Sequence, residues 1–277
     1  MLTAVADGVL VSQSAFCRSN AVVVLDGGHG ALVVDAGVHE SELKALAQEL
    51  ADRGRTIVLG FSTHPHWDHL LWHPALGHVR RVGTALCAST ARERLAGGID
   101  ARRLGIPDEV NVEHLGGIGG LPVDADRLPW DGPEVRIVEH RAHAPGHAAL
   151  LIAEAGVLVA GDMLSDVLIP MPDLNGPPDP IGDYLAALAL LEGAARVAGT
   201  VIPGHGSVAR AEEATERIAR DRAYLQALLD HDDPDDPRLG PSAPAGWEWV
   251  DDLHVAQRDR LVGLGTRYRD GDHGVPG

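Results

Sequence analysis

The apolar positions of the chain fall first into short β-branched runs, Val9 to Val11, Ala21 to Leu25 and Ala31 to Val34. The stretch Asp26-Gly27-Gly28-His29-Gly30 between the last two reads as a hairpin loop. The period then changes. Leu43, Leu46, Ala47 and Leu50 recur at helical spacing, which predicts an amphipathic helix over 40–52, with Ser41 as its cap and Gly54 as its stop. The unbroken apolar run 56–61 predicts a strand buried on both faces.

Downstream, 90–106 reads as helix in pieces, and the Gly- and Pro-rich stretch 115–133 as a loop with a strand near Leu121 to Val123. Three apolar runs follow at 134–138, 148–153 and 156–160, the last two separated by a turn at Gly156. The prolines of 164–180 forbid a regular element, so this segment is expected to be a loop beside a site. Helices are expected at 181–198, 209–230 and 251–264, with a short strand from Thr200 to Pro203 between the first two. Strands and helices alternate in two halves, which predicts a layered α/β fold.

Composition narrows the possible functions. No run of about 18 apolar residues is present to cross a membrane. The N-terminus lacks the basic and apolar regions of a secretory signal. Acidic residues number 40 against 23 basic ones, a net charge of −17, which argues against a nucleic-acid partner. Two cysteines make no disulfide framework, so a cytoplasmic protein is expected. The 15 histidines stand out beside so few cysteines and methionines, because imidazole is the commonest protein metal ligand.

Their placement matters more than their number. Thr63-His64-Pro65-His66-Trp67-Asp68-His69 leaves the predicted strand 56–61, and α/β folds carry their sites on such strand-end loops. His64 and His66 can point at one centre, Asp68 and His69 at a second a few ångströms away. Imidazole and carboxylate together suit zinc and similar divalent metals. His147 follows the run 134–138, Asp162 the run 156–160, and His205 the strand ending at Pro203. Each closes a segment whose glycines and prolines turn the chain out of a sheet edge.

The pattern His-x-His-x-Asp-His, then His, Asp and His, resembles the metallo-β-lactamase superfamily over about Asn20 to Ser207. Val33-Val34-Asp35-Ala36-Gly37 also looks like that family's strand ending in Asp-x-Gly. The resemblance implies a four-layer αβ/βα sandwich, two mixed sheets face to face with helices outside. It implies a domain over 1–230, with 231–277 as an extension packed on it. By residue, it gives His64, His66 and His147 to a first metal, Asp68, His69 and His205 to a second, and Asp162 to both. The implied cofactors are two divalent ions, zinc first, with iron or manganese as alternatives. A hydroxide held between the ions would be the nucleophile, Asp68 would relay its proton, and Asp35 would support the site from behind.

The expected activity is hydrolysis of a small-molecule ester, lactone or thioester. An iron-containing redox member and a non-catalytic metal-binding protein are the alternatives. Three details of the sequence bear on the substrate. Asp162 stands where zinc β-lactamases of the common type carry cysteine. No tyrosine follows it until Tyr184, although the lactonase branch has one sooner. Bulky Leu70-Leu71-Trp72-His73 replace the glycines that often follow the first motif. Trp72 and His73 are therefore candidates to touch substrate, and His143 is a candidate proton shuttle beside the ligands. The sequence leaves the oligomeric state open.

Overall fold

The apolar runs become strands of two mixed sheets in the computed structural model, which describes residues 1–270 and side chains through 263. The first sheet holds β1 (Thr3–Ala6), β2 (Val9–Gln13), β3 (Asn20–Leu25), β4 (Gly30–Val34), β5 (Thr56–Phe61), β6 (Arg80–Gly83) and β7 (Gly119–Gly120), in chain order. It is antiparallel from β1 to β4 and parallel from β4 to β7. The second sheet holds β8 (Arg136–His140), β9 (His147–Ile152), β10 (Val157–Gly161), β11 (Thr200–Pro203) and β12 (Ala209–Arg210). Its order is β12-β11-β10-β9-β8, and only β10 and β11 run parallel.

Both faces of both sheets are covered, and for that reason these strands read as unbroken apolar runs. The period of two then sorts side chains into separate cores. In β3, Val22 and Val24 face Leu150, Ile152 and Val159 of the other sheet. Ala21 and Val23 of the same strand face outward onto Leu43, Leu46 and Leu50 of α1 (Glu40–Asp52). In the second sheet, Leu151, Leu158 and Val201 point outward onto α3 (Pro180–Ala195) and α4 (Ala211–Asp230), meeting Leu188, Leu191 and Leu225. The order is helix, sheet, sheet, helix: the four-layer sandwich.

Several local expectations need correction. Helix α1 begins after His39 with no side-chain cap, and Ser41 lies inside it. The helix expected within 90–106 is α2 (Ala85–Ala96). It starts earlier because Thr84 caps it, its Oγ1 accepting from the Cys87 N–H at 3.1 Å, and it stops at Gly97 and Gly98. The strand expected near 121–123 is the two-residue β7, which lies just before it and ends ahead of the exposed Val123. Beyond α4 the chain reaches a final helix, α5 (Trp249–Asp270), whose Val250 sits in the outer core of the second sheet. Residues 271–277, the end of the expected extension, lie outside the described residues. Among the described residues, no helix is long and apolar enough to cross a membrane.

Candidate metal centre

The exits of five strands supply the centre. Asp35 follows β4, the Thr63–His69 loop follows β5, His143 follows β8, Asp162 follows β10 and His205 follows β11. Two groups of donors result, one of His64, His66, His143 and Asp162 and one of Asp68, His69 and His205; within each, one donor atom per residue lies within 4.8 Å of the others. In the first, His64 Nε2 and His143 Nε2 each lie 3.0 Å from His66 Nδ1. Asp162 Oδ2 is 3.5 Å from His64 Nε2 and 3.4 Å from His143 Nε2. In the second, Asp68 Oδ2 is 3.3 Å from His205 Nε2 and 3.5 Å from His69 Nε2. Asp162 joins the groups, its Oδ1 3.2 Å from His69 Nε2 and its Oδ2 3.4 Å from His205 Nε2.

The outer atoms of these rings fix which way their lone pairs point. Thr63 receives and gives hydrogen bonds at once. Its N–H donates to Asp35 Oδ1 at 2.9 Å and its hydroxyl to Asp35 Oδ2 at 2.7 Å. With that proton committed, Thr63 Oγ1 can only accept from His64 Nδ1, 3.0 Å away. His143 Nδ1 donates to the Met171 carbonyl at 3.0 Å, and His205 Nδ1 to the Cys17 carbonyl at 2.9 Å. Each ring thus holds an Nδ1 proton outward and turns its Nε2 inward, toward the other donors. Behind His69, Asp35 Oδ2 lies 3.0 Å from Nδ1.

This arrangement fits a cation. Three imidazole nitrogens converge at 3.0 Å with at most one proton, on His66, to share between them. Both nitrogens of His69 and Oδ1 of Asp162 are buried without an aligned hydrogen bond. Buried polar atoms are rarely left so, and a bound ion would satisfy His69 Nε2 and Asp162 Oδ1 together, while His69 Nδ1 faces Asp35. Nitrogen and carboxylate donors suit a zinc-like divalent metal.

Before any cation binds, the two groups differ in charge. Burial drives His66 down to about 3, with His143 beside it adding to the effect, and it holds His64 well below its ordinary value. Burial also opposes a charge on His205, yet the carboxylates of Asp162 and Asp68 outweigh it and lift this ring to about 10. The same two carboxylates, with Asp35, raise His69 against burial. The two acids are in turn kept ionised against burial, Asp68 chiefly by His69 and Asp162 chiefly by His205.

The expected residues are therefore largely brought together, with three corrections. His147 does not stand with His64 and His66; His143 does. The reason is its place in the chain. His147 is the first residue of β9, so its fully buried side chain lies in the sheet layer, its Nε2 filling the space that a Cβ on Gly161 would take. His143 lies on the loop before it, as the other donors lie on loops. Trp72 is turned away from the centre, packed on Gly60 and under Arg81, with its Nε1 donating to the Gly77 carbonyl at 2.9 Å. His73 caps a short turn, its Nδ1 accepting from the Ala75 N–H at 2.9 Å, and its neighbours are Glu40 and His114.

Two supports escaped the sequence reading. Gly204 lets the end of β11 press against Asp162, since a Cβ there would collide with Asp162 Oδ1. The loop 164–171, whose Met171 carbonyl holds His143, is tied from below by buried arginines. Arg217 Nη1 donates to the Leu164 carbonyl at 3.1 Å, and Arg238 Nη1 to the Leu168 carbonyl at 2.9 Å. Ser165 in that loop donates its hydroxyl to the His205 carbonyl at 2.8 Å. A lone arginine in an acidic, Pro-rich stretch carries no pattern by which a reader of sequence would place it in a core.

Comparison with known proteins places the chain in a family. The family model described as the metallo-beta-lactamase superfamily matches residues 15–205. No curated protein sequence matches the chain. Among solved structures, the chain is similar to a metallo-beta-lactamase family protein from Thermus thermophilus, with 24% identity, 94% of this chain and 95% of that chain covered, and a TM-score of 0.65. It is similar to a beta-lactamase domain protein from Burkholderia ambifaria at 24% identity, 83% and 77% coverage, and a TM-score of 0.63. A stereoselective inverting sec-alkylsulfatase from Pseudomonas sp. shares 15% identity over 83% of this chain and 42% of its own, with a TM-score of 0.63.

Proposed function

The chain belongs to the metallo-beta-lactamase superfamily, and on that premise we propose that it is a two-metal hydrolase of a small-molecule ester, lactone or thioester. The observation that supports this reading is the pair of converging donor groups joined through Asp162. In the proposed assignment His64, His66 and His143 hold one ion, Asp68, His69 and His205 the other, and Asp162 both. Zinc is the expected metal, given the dominance of imidazole. Ions so held acidify water and polarise a carbonyl oxygen.

The protein's own groups do the rest. The outward protons of His64, His143 and His205 lock their rings, so the donors are oriented before anything binds. Asp68 sits on the more open turn with Trp67, and its Oδ2 faces both His69 and His205. In this reading it accepts a proton from water and returns it to a leaving group. Phe16 packs edge-on to Trp67, ring centroids 5.1 Å apart, and holds that turn against the body.

The test is turnover of ester, lactone and thioester probes by zinc-loaded protein and by Asp68→Asn. The reading requires turnover by the parent protein and its loss by at least 100-fold in the variant. Zinc-loaded parent protein that turns over none of these probes would overturn it.

A further inference from the structure

Two cavities touch the donor cluster, and they differ greatly in size. Beneath Asp162 and His205, Leu164, Leu168, Ile169 and Tyr184 close around a void of about 10 Å³, room for a single water. On the other side, His66 forms part of the wall of a cleft of about 450 Å³. That volume falls within the range of small-molecule sites and holds about fifteen groups the size of a water or methylene.

The wall of this cleft has a definite chemistry. Trp67, Leu70, Leu95, Ile99, Leu104 and Leu115 line it, and Leu104 is 46% exposed. Charge enters through Arg94, Arg103 and Asp100. Arg94 is engaged, its Nη1 donating to the Pro65 carbonyl at 2.7 Å, between two of the metal-ligand candidates. Asp100 accepts from the backbone N–H of Arg103 at 3.1 Å. The guanidinium of Arg103 makes no ion pair among the described residues. A chain of net charge −17 thus places an uncommitted cation in the cleft that leads to its donor cluster.

We infer that the cleft selects an ester or thioester whose acyl chain is apolar, of about six to eight carbons, and ends in an anionic group met by Arg103. This inference rests on the hydrolase reading above. The reacting carbonyl sits at the donors beside His66, the methylenes lie along the leucine and tryptophan wall, and the acid reaches the arginine.

The test uses the zinc-loaded full chain and p-nitrophenyl esters of two to eight acyl carbons, alongside half-esters of octanedioic acid. Burying each methylene is expected to raise kcat/KM about fourfold until the cleft is filled. The acid-ended ester should exceed the neutral ester of equal length by about fivefold. Arg103→Glu should reverse that preference, and Leu104→Glu should flatten the dependence on length. Esters cleaved without regard to length, or an acid preference untouched by Arg103→Glu, would overturn the inference while leaving the hydrolase reading intact. If no ester is cleaved, the lactone and thioester probes above decide the hydrolase reading. Calorimetric binding of monomethyl octanedioate then decides for the cleft: binding weakened about fivefold by Arg103→Glu supports it, and no binding, or binding equal in the two proteins, overturns it.

Discussion

Replacing Arg238 with methionine tests how the segment after α4 supports the metal centre. Arg238 is 1% exposed. Its Nε and Nη2 donate to the two oxygens of Asp236 at 2.9 and 2.6 Å, and its Nη1 to Asp221 Oδ1 at 2.7 Å. The same Nη1 reaches the carbonyls of Ser165 and Leu168. Arg238→Met preserves much of the volume but strands two buried carboxylates and two carbonyls. Removing one partner of a buried ion pair costs about 3–5 kcal/mol. Unfolding entropy near 2.1 cal/mol/K per residue gives about 0.6 kcal/mol/K for a chain this long, so Tm should fall by roughly 5–9 °C. The loss should also depend on pH. Burial already lifts Asp221 to about 6, against the pull of Arg238. Without the guanidinium its folded pKa rises further, so the variant takes up this proton above pH 6, where the parent does not, and the stranded charge is relieved as pH falls toward 6. Thermal unfolding of both proteins at pH 7.5 and pH 5 should show the deficit shrinking in acid. A deficit below about 1 kcal/mol at pH 7.5, or one that grows toward pH 5, would refute the reasoning.

Other expectations follow from the same geometry. Asp35→Ala removes the group behind His69 and the acceptor of both Thr63 bonds, and zinc affinity should weaken by about 10–100-fold in a chelator competition. Gly204→Ala pushes a methyl into Asp162 Oδ1, so zinc uptake should fall although the substitution lies outside the donor set. The metal-free protein should lose stability as pH rises. The folded pKa of His205, about 10, exceeds its free value of 6.5, so its contribution is complete below 6.5 and disappears as pH climbs through 10. Zinc binding must displace that proton, so affinity should strengthen over the same interval while the Tm of metal-free protein declines.

Much of the fold was legible because burial on both faces leaves a plain mark. The runs around Val22, Val33, Leu59, Leu150, Leu158 and Val201 are strands, and the period at Leu43, Leu46 and Leu50 is a helix. The two-residue β7 and β12 are set by pairing partners rather than by local pattern. Within the centre, the first motif lies on one loop, so its spacing alone brings four donors together. The choice between His143 and His147 was harder, because both stand in one short segment. The signal was present: every other donor lies on a loop beyond a strand end, whereas His147 abuts the apolar run 148–153 and becomes the first residue of β9. Trp72 and His73 misled because nearness in sequence to His69 does not survive the turn at Trp67–His69, after which the chain leaves the centre. Arg217 and Arg238 gave no signal, since the loop carbonyls they hold lie far away in sequence.

Zinc stoichiometry of metal-stripped protein, titrated by calorimetry alongside His143→Ala and His147→Leu, tests the central claim most directly. Two zinc ions per chain are expected in the parent protein, a single tight site in His143→Ala, and two in His147→Leu whatever its cost in stability. One zinc in the parent protein, or a site lost in His147→Leu and kept in His143→Ala, would contradict the proposed centre.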